Sequence, residues 1–157
     1  MDNYAFIDAQ NLYRGIKSLG WKLDWHKFRV YLNDKYNVHT AYVFIGYIPS
    51  QQTLYADLQK AGYILVFKPV IYDGTGTPKG NCDADLVLHT LIEKENYKKA
   101  VIVTSDGDFY SLVKYLYDQG KLEMVLSPYI KTCSKLLKKE AKEKINYMAN
   151  LSGKIGP

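Results

Sequence analysis

The feature of this sequence that most constrains its fold is the alternation of short apolar runs with segments of helical periodicity. Five apolar runs predict buried strands, at residues 4–7, 41–45, 63–67, 100–103 and 123–126. Helical spacing occurs between them, for example at Phe28, Tyr31 and Leu32. Such alternation forms βαβ units, whose right-handed crossovers place helices on both faces of a sheet. We therefore expect a three-layer α/β/α fold with a mainly parallel five-stranded sheet.

The C-terminal segment carries the positive charge of the chain. The 157 residues have a formal net charge of +5. Residues 131–157 contain seven lysines against Glu140 and Glu143, which is also +5, so residues 1–130 are neutral. Apolar side chains recur every three or four positions between residues 132 and 151, as on one face of a helix. We predict a domain at residues 1–130 and a basic amphipathic helical extension at residues 131–157.

The composition also limits where such a chain functions. There is no run of 18 apolar residues, so we expect no transmembrane helix and no membrane partner. Two cysteines are too few for a disulfide scaffold, and the N-terminus lacks the basic region of a signal peptide. We therefore expect a cytoplasmic protein.

Carboxylates occur where the predicted strands end. Asp8 follows the first strand, Asp106 and Asp108 follow the fourth, and Asp83 and Asp85 precede a helix. Ligands of parallel α/β sheets bind beyond the carboxyl ends of the strands, so we expect these acids to lie near one another. Two carboxylates about 4 Å apart repel by roughly 4 kcal/mol at an effective dielectric constant near 20. A divalent cation such as Mg²⁺ would offset that repulsion.

Each acid also has a simpler interpretation when it is taken alone. Aspartates are common N-caps and suit the first turn of a helix, which would explain Asp8, Asp83 or Asp106 without a ligand. Protonation of one carboxyl would also relieve the repulsion. Four acids beside three predicted elements favour a metal site over coincidence.

Three segments carry a resemblance to a known family. They are residues 6–12 (FIDAQNL), residues 79–86 (KGNCDADL) and residues 103–109 (VTSDGDF). In this order they resemble three motifs of the NYN domain family, in the PIN-like nuclease superfamily, and especially its bacterial members. The resemblance implies an α/β/α fold and an endoribonuclease that hydrolyses RNA phosphodiester bonds with Mg²⁺ or Mn²⁺.

The resemblance also implies roles for individual residues. Four aspartates match the catalytic, metal-binding acids: Asp8, Asp83, Asp106 and Asp108. Three polar residues match supporting positions: Asn11, Ser105 and Asp85. RNA, single-stranded or structured, is the expected substrate.

Lysines and tyrosines supply candidate contacts to that RNA. We expect five lysines to contact phosphates: Lys79, Lys135, Lys138, Lys139 and Lys142. The alternative is that they are solvated surface lysines. Core and surface packing is the first explanation for the tyrosines, and base stacking is the alternative for three of them near the predicted edge: Tyr47, Tyr72 and Tyr110. A homodimer is left open.

Two other functions compete with a nuclease. The first is a non-catalytic RNA-binding or assembly module that retains the acids for metal binding or folding. The second is a Mg²⁺-dependent phosphatase, which usually needs a second acid two residues after a nucleophilic aspartate. Here Ala9 and Gln10 follow Asp8, which counts against a phosphatase.

Overall fold

The fold is built on a six-stranded parallel sheet, one strand larger than predicted. The computed structural model describes residues 1–72, 74–76, 78–79 and 82–157. All five predicted strands are confirmed. In chain order the strands are β1 (Asn3–Asp8), β2 (Val38–Tyr47), β3 (Tyr63–Pro69), β4 (Ile71–Tyr72), β5 (Pro78–Lys79), β6 (Ala100–Val103), β7 (Leu122–Ser127) and β8 (Ile145–Tyr147). Strands β4 and β5 form an antiparallel pair, and the other six form the sheet in the order β3-β2-β1-β6-β7-β8.

Helices cover both faces of the sheet, which confirms the three-layer α/β/α architecture. They are α1 (Ala9–Ser18), α2 (Trp25–Tyr36), α3 (Gln52–Lys60), α4 (Asp83–Ile92), α5 (Tyr110–Asp118), α6 (Lys135–Ala141) and α7 (Ser152–Ile155). Helices α1, α2, α3 and α7 pack in one apolar core, whereas α4, α5 and α6 pack in the other. Within the described ranges, no helix has the length and apolarity that crossing a membrane requires.

The two central strands bring distant parts of the chain to one edge. Strand β1 pairs in parallel with β6, and Ile7 is the partner of Val103. The apolar residues of both strands are fully buried from Ala5 to Ile7 and from Ala100 to Val103. The residues that follow these strands therefore emerge side by side, and they begin with Asp8 and Thr104.

The predicted C-terminal helix is correct for one segment and wrong for the next. Helix α6 ends at Ala141, and Lys142 adopts a left-handed backbone with φ of 54°. Residues 145–147 then form β8, which pairs in parallel with β7. The apolar spacing did not distinguish a longer helix from a strand at this point, because an apolar residue at position 145 suits the buried side of either element. Pairing satisfies the backbone groups along β7, which a continued helix would leave without strand partners.

Candidate metal centre

Three aspartates from separate segments of the chain come together at the carboxyl edge of the sheet. Asp8 ends β1, Asp83 begins α4, and Asp106 lies in the turn after β6. One carboxylate oxygen of each lies within 4.8 Å of the others. At that separation and an effective dielectric constant near 20, two charged carboxylates repel by about 3 kcal/mol. The group is therefore unfavourable when all three are ionised and nothing balances their charge.

Asp8 is the most buried member of this group. Its side chain is 9% exposed, and its Oδ1 caps α1 by accepting the backbone N–H of Asn11 at 3.3 Å. The pKa of Asp8 is raised from 3.8 to about 6, mainly by burial and to a lesser extent by the charges of Asp83 and Asp106, while the hydrogen bonds from Asn11 and Thr104 oppose the rise. The capping interpretation and the cluster are thus both correct for this residue. The raised pKa means that the ionised form of Asp8 is unfavourable at this site when no cation balances its charge.

Thr104 links two of the three aspartates, and the sequence analysis did not select it. Its buried hydroxyl donates to Oδ2 of Asp8 at 3.2 Å and accepts the backbone N–H of Asp106 at 3.1 Å. Its place in the motif at residues 103–109, directly after a strand, was an available signal. The hydroxyl fixes the spacing between the ends of β1 and β6.

Asn11 and Ser105 form a second link between the same two segments. The side-chain oxygen of Asn11 accepts both the backbone N–H of Ser105 at 2.8 Å and its hydroxyl at 2.9 Å. Ser105 is 6% exposed, so the loss of this acceptor would leave a largely buried donor without a partner. Two of the three residues predicted to support the acids, Asn11 and Ser105, thus hold the turn that carries Asp106.

Other predicted site residues lie outside the group of three. Asp108 is exposed, and its backbone N–H donates to Oδ1 of Asp106 at 2.9 Å. Asp85 lies in the first turn of α4, two residues beyond Asp83, and is not a member of the group. The side chain of Lys79 lies outside the part of the chain that the structure describes.

Helix α6 begins next to the turn that carries Asp106. The backbone N–H of Ser134 donates to the carbonyl oxygen of Ser105 at 3.1 Å. Gly107 packs so closely on the side chain of Ser134 that a Cβ at this position would collide with it. The basic helix is therefore anchored at the acidic site.

The lysines of α6 and its end differ in their partners. The ammonium of Lys138 donates to the carbonyl of Ile130 at 3.2 Å. That of Lys142 lies 4.5 Å from the ring centroid of Tyr117. Two further lysines are exposed and form no ion pair among the described residues: Lys135 and Lys139.

The donor set fits a hard divalent cation. All three groups offer carboxylate oxygens, which Mg²⁺ and Mn²⁺ prefer. With Mg–O distances of about 2.1 Å, two oxygens that bind one Mg²⁺ lie at most about 4.2 Å apart. Oxygens that lie within 4.8 Å of one another would therefore have to move closer together when a single cation binds. The group also opens on a cleft of about 1220 Å³, which gives room for a substrate.

Comparisons with known proteins agree with this architecture. The crystal structure of a protein of unknown function from Vibrio parahaemolyticus has the same fold, with a TM-score of 0.81 at 20% identity. That likeness covers 99% of this chain and 96% of the other. No curated protein matches the sequence. The NYN domain model matches residues 4–148, nearly the whole chain, and the motifs that suggested this family contain all three clustered aspartates. The chain therefore belongs to the NYN domain family, which is generally a family of nucleases.

Proposed function

We propose that this protein is a ribonuclease that hydrolyses RNA phosphodiester bonds with Mg²⁺ or Mn²⁺. The observation that carries the proposal is the convergence of Asp8, Asp83 and Asp106 from three segments to within 4.8 Å. NYN nucleases generally depend on divalent metals, and the all-oxygen donor set suits such a cation. The cytoplasmic location and the homodimer stay predictions from the sequence.

The residues of the chain prepare the site before substrate arrives. Asp8, Asp83 and Asp106 would hold the cation at the end of β1 and β6. When bound, the cation supplies a Lewis acid that activates water and offsets the charge developing on the leaving oxygen. Thr104 and Asn11 restrict movement of the two strand ends, so the carboxylates need little rearrangement when the cation binds.

The role of Asp108 differs from that of the three clustered acids. Its backbone N–H orients the carboxylate of Asp106, while its own carboxylate is exposed. An asparagine at position 108 keeps that N–H. We therefore propose that Asp108 supports Asp106 and contributes little as a metal ligand.

The basic helix α6 supplies a surface for the RNA backbone. Lys135 and Lys139 are exposed on a helix whose first turn is anchored to the carbonyl of Ser105. Contacts to phosphates would balance the repulsion between the acidic site and a polyanion. Lys138 and Lys142 already have partners within the protein and contribute less.

A cleavage assay tests this function directly. Labelled RNA is incubated with the protein and Mn²⁺ or Mg²⁺, with EDTA as the metal-free control. We expect cleavage that EDTA abolishes and that Asp106→Asn reduces by at least about 100-fold, as expected when a group that stabilises the transition state is lost. Asp108→Asn should retain most of the activity. Full activity of Asp106→Asn would overturn the assignment.

A metal titration separates the nuclease from the non-catalytic module. Both functions predict that the cation raises the thermal stability of the protein, and that Asp106→Asn abolishes this increase. Only the nuclease predicts turnover. Metal-dependent stabilisation without cleavage of any RNA would favour the binding module.

A further inference from the structure

The cleft at the acidic site extends well beyond the three carboxylates. It follows α1 away from Asp8 and reaches the turn at residues 19–25. Other parts of the lining come from the carboxyl end of β2, from α3 and from the segment between them, and they include the apolar residues Ile45, Ile48 and Leu54. We call this extension the α1 groove. The residues of the α1 groove are not part of the group of three aspartates.

The helical wall of the α1 groove is positively charged. Arg14 and Lys17 line it from α1, and Lys22 lines it from the turn that follows the helix. None of the three forms an ion pair with a carboxylate among the described residues. This wall thus has a charge opposite to that of the acidic group at the other end of the cleft. A ligand with repeated negative charges would bridge the two ends once a cation balances the acids.

Two aromatic side chains lie beside these cations. Tyr13 is 65% exposed, and Lys17 lies 5.9 Å from the centroid of its ring. Trp21 is half-buried and packs against the apolar core, so its indole is held in place. Gly20 has φ of 82°, a conformation that favours glycine and turns the chain so that Trp21 reaches the cleft. The groove therefore presents flat apolar surfaces next to cations that form no ion pair with a carboxylate among the described residues.

We infer that the α1 groove binds a single-stranded segment of RNA that adjoins the bond to be cleaved. Phosphates would contact the three cations, while unpaired bases would stack on Tyr13 or Trp21 and face the apolar wall of β2 and α3. The bases of a duplex are already stacked in pairs and cannot use these surfaces. This inference rests on the proposed function, whose substrate it restricts to RNA with an unpaired region.

A binding measurement tests the charged wall. Every protein carries Asp106→Asn, which prevents cleavage and also removes one of the acidic charges that a cation would otherwise balance. Fluorescence anisotropy follows a labelled 12-nucleotide single strand and a 12-base-pair duplex. Replacing Arg14, Lys17 and Lys22 by Ala should weaken single-strand binding by about 10- to 100-fold at about 0.1 M salt. The slope of log affinity against log salt should become shallower by about 2, since each phosphate contact contributes about 0.7.

A matched control removes the same charge from the opposite end of the sheet. Lys35, Lys98 and Lys99 lie near the amino ends of β2 and β6, away from the acids. Replacing all three by Ala should leave single-strand affinity within about twofold of the parent, because long-range screened charges contribute little. An equal loss in both triple variants would mean that net charge alone drives binding, and would overturn the groove.

The aromatic surfaces have a separate readout. Tyr13→Ala should weaken single-strand binding about tenfold and leave duplex binding unchanged, while Tyr13→Phe should retain the affinity. Both tryptophans of the chain, Trp21 and Trp25, line the cleft. The single strand should therefore quench tryptophan fluorescence, and Trp21→Phe should remove most of the quenching. Equal losses for duplex and single strand would refute a stacking surface.

The experiments distinguish a wrong assignment of the α1 groove from a wrong assignment of the nuclease activity. A wild-type protein that cleaves no RNA but shows this binding pattern would overturn the proposed function and leave the groove supported. A wild-type protein that cleaves RNA, with unchanged single-strand binding in the Arg14, Lys17 and Lys22 variant, would overturn the groove alone.

Discussion

Replacing Asp8 by Asn should stabilise the metal-free protein while removing its response to metal. Burial, with smaller contributions from the charges of Asp83 and Asp106, raises the pKa of Asp8 from 3.8 to about 6. The folded state therefore binds the Asp8 proton more tightly than the unfolded chain, and the stability of the wild type falls as pH rises from about 4 through 6. Each pKa unit corresponds to about 1.4 kcal/mol, so the shift of Asp8 lowers the free energy of unfolding by at most about 3 kcal/mol above pH 6.

Asparagine has no charge to desolvate and retains an oxygen that can cap α1. In EDTA, we expect the free energy of unfolding of Asp8→Asn to exceed that of the wild type by about 1–3 kcal/mol at pH 8. At pH 4 the difference should be close to zero. Urea denaturation at both pH values measures it. The exposed carboxylate of Asp34, on α2, supplies the control, and Asp34→Asn should change little at either pH.

Metal should reverse the order of the two proteins. A cation at about 1,000 times its dissociation constant stabilises the protein that binds it by about 4.1 kcal/mol, which exceeds the whole expected difference. The wild type should gain this increment at pH 8, whereas Asp8→Asn should gain much less. A variant that is destabilised equally at pH 4 and pH 8 would refute the argument from burial. Equal stabilisation of both proteins by Mg²⁺ or Mn²⁺ would refute the metal centre.

Three further predictions concern the residues around the acids. Asn11→Ala removes the acceptor for both donors of Ser105, so it should lower the free energy of unfolding by about 1–3 kcal/mol and reduce cleavage; chemical denaturation and a cleavage assay measure the two effects. Gly107→Ala should cost about 1–3 kcal/mol in the same denaturation assay, because its Cβ meets Ser134, and an unchanged stability would contradict that packing. Lys139→Ala should weaken RNA binding and make its salt dependence shallower by about 0.7–0.9 without changing the melting temperature.

Much of the fold follows from local patterns in the sequence. The five predicted strands are short, apolar and bounded by turns, and the helices between them have clear periodicity. Two of the three clustered acids, Asp8 and Asp106, were predictable for the same reason, since residues at the end of a buried parallel strand or in the turn after it lie at the carboxyl edge of the sheet. Asp83 instead begins α4, and it was selected because it precedes a predicted helix and matches the second motif of the NYN family.

The features that were missed depend on contacts distant in the sequence. Strand β8 forms because β7 has an unpaired edge with which it can form hydrogen bonds. The spacing of the apolar residues up to Met148 gives no information about that edge. Thr104 matters through its hydrogen bond to Asp8, which lies 96 residues away. The predicted stacking residues were tyrosines near the strand ends, whereas Tyr13 and Trp21 reach the cleft from α1 and its following turn.

The central position of β1 and β6 also determines how the site is lost. Both strands are paired on both sides and their apolar residues are fully buried from Ala5 to Ile7 and from Ala100 to Val103. Amide hydrogens in such segments exchange with solvent only when the whole domain opens, at close to the global free energy of unfolding. The backbone that positions Asp8 is therefore among the last parts of the molecule to open. In a destabilised variant, the fraction of folded molecules should fall cooperatively, while each molecule that stays folded keeps a fully formed site.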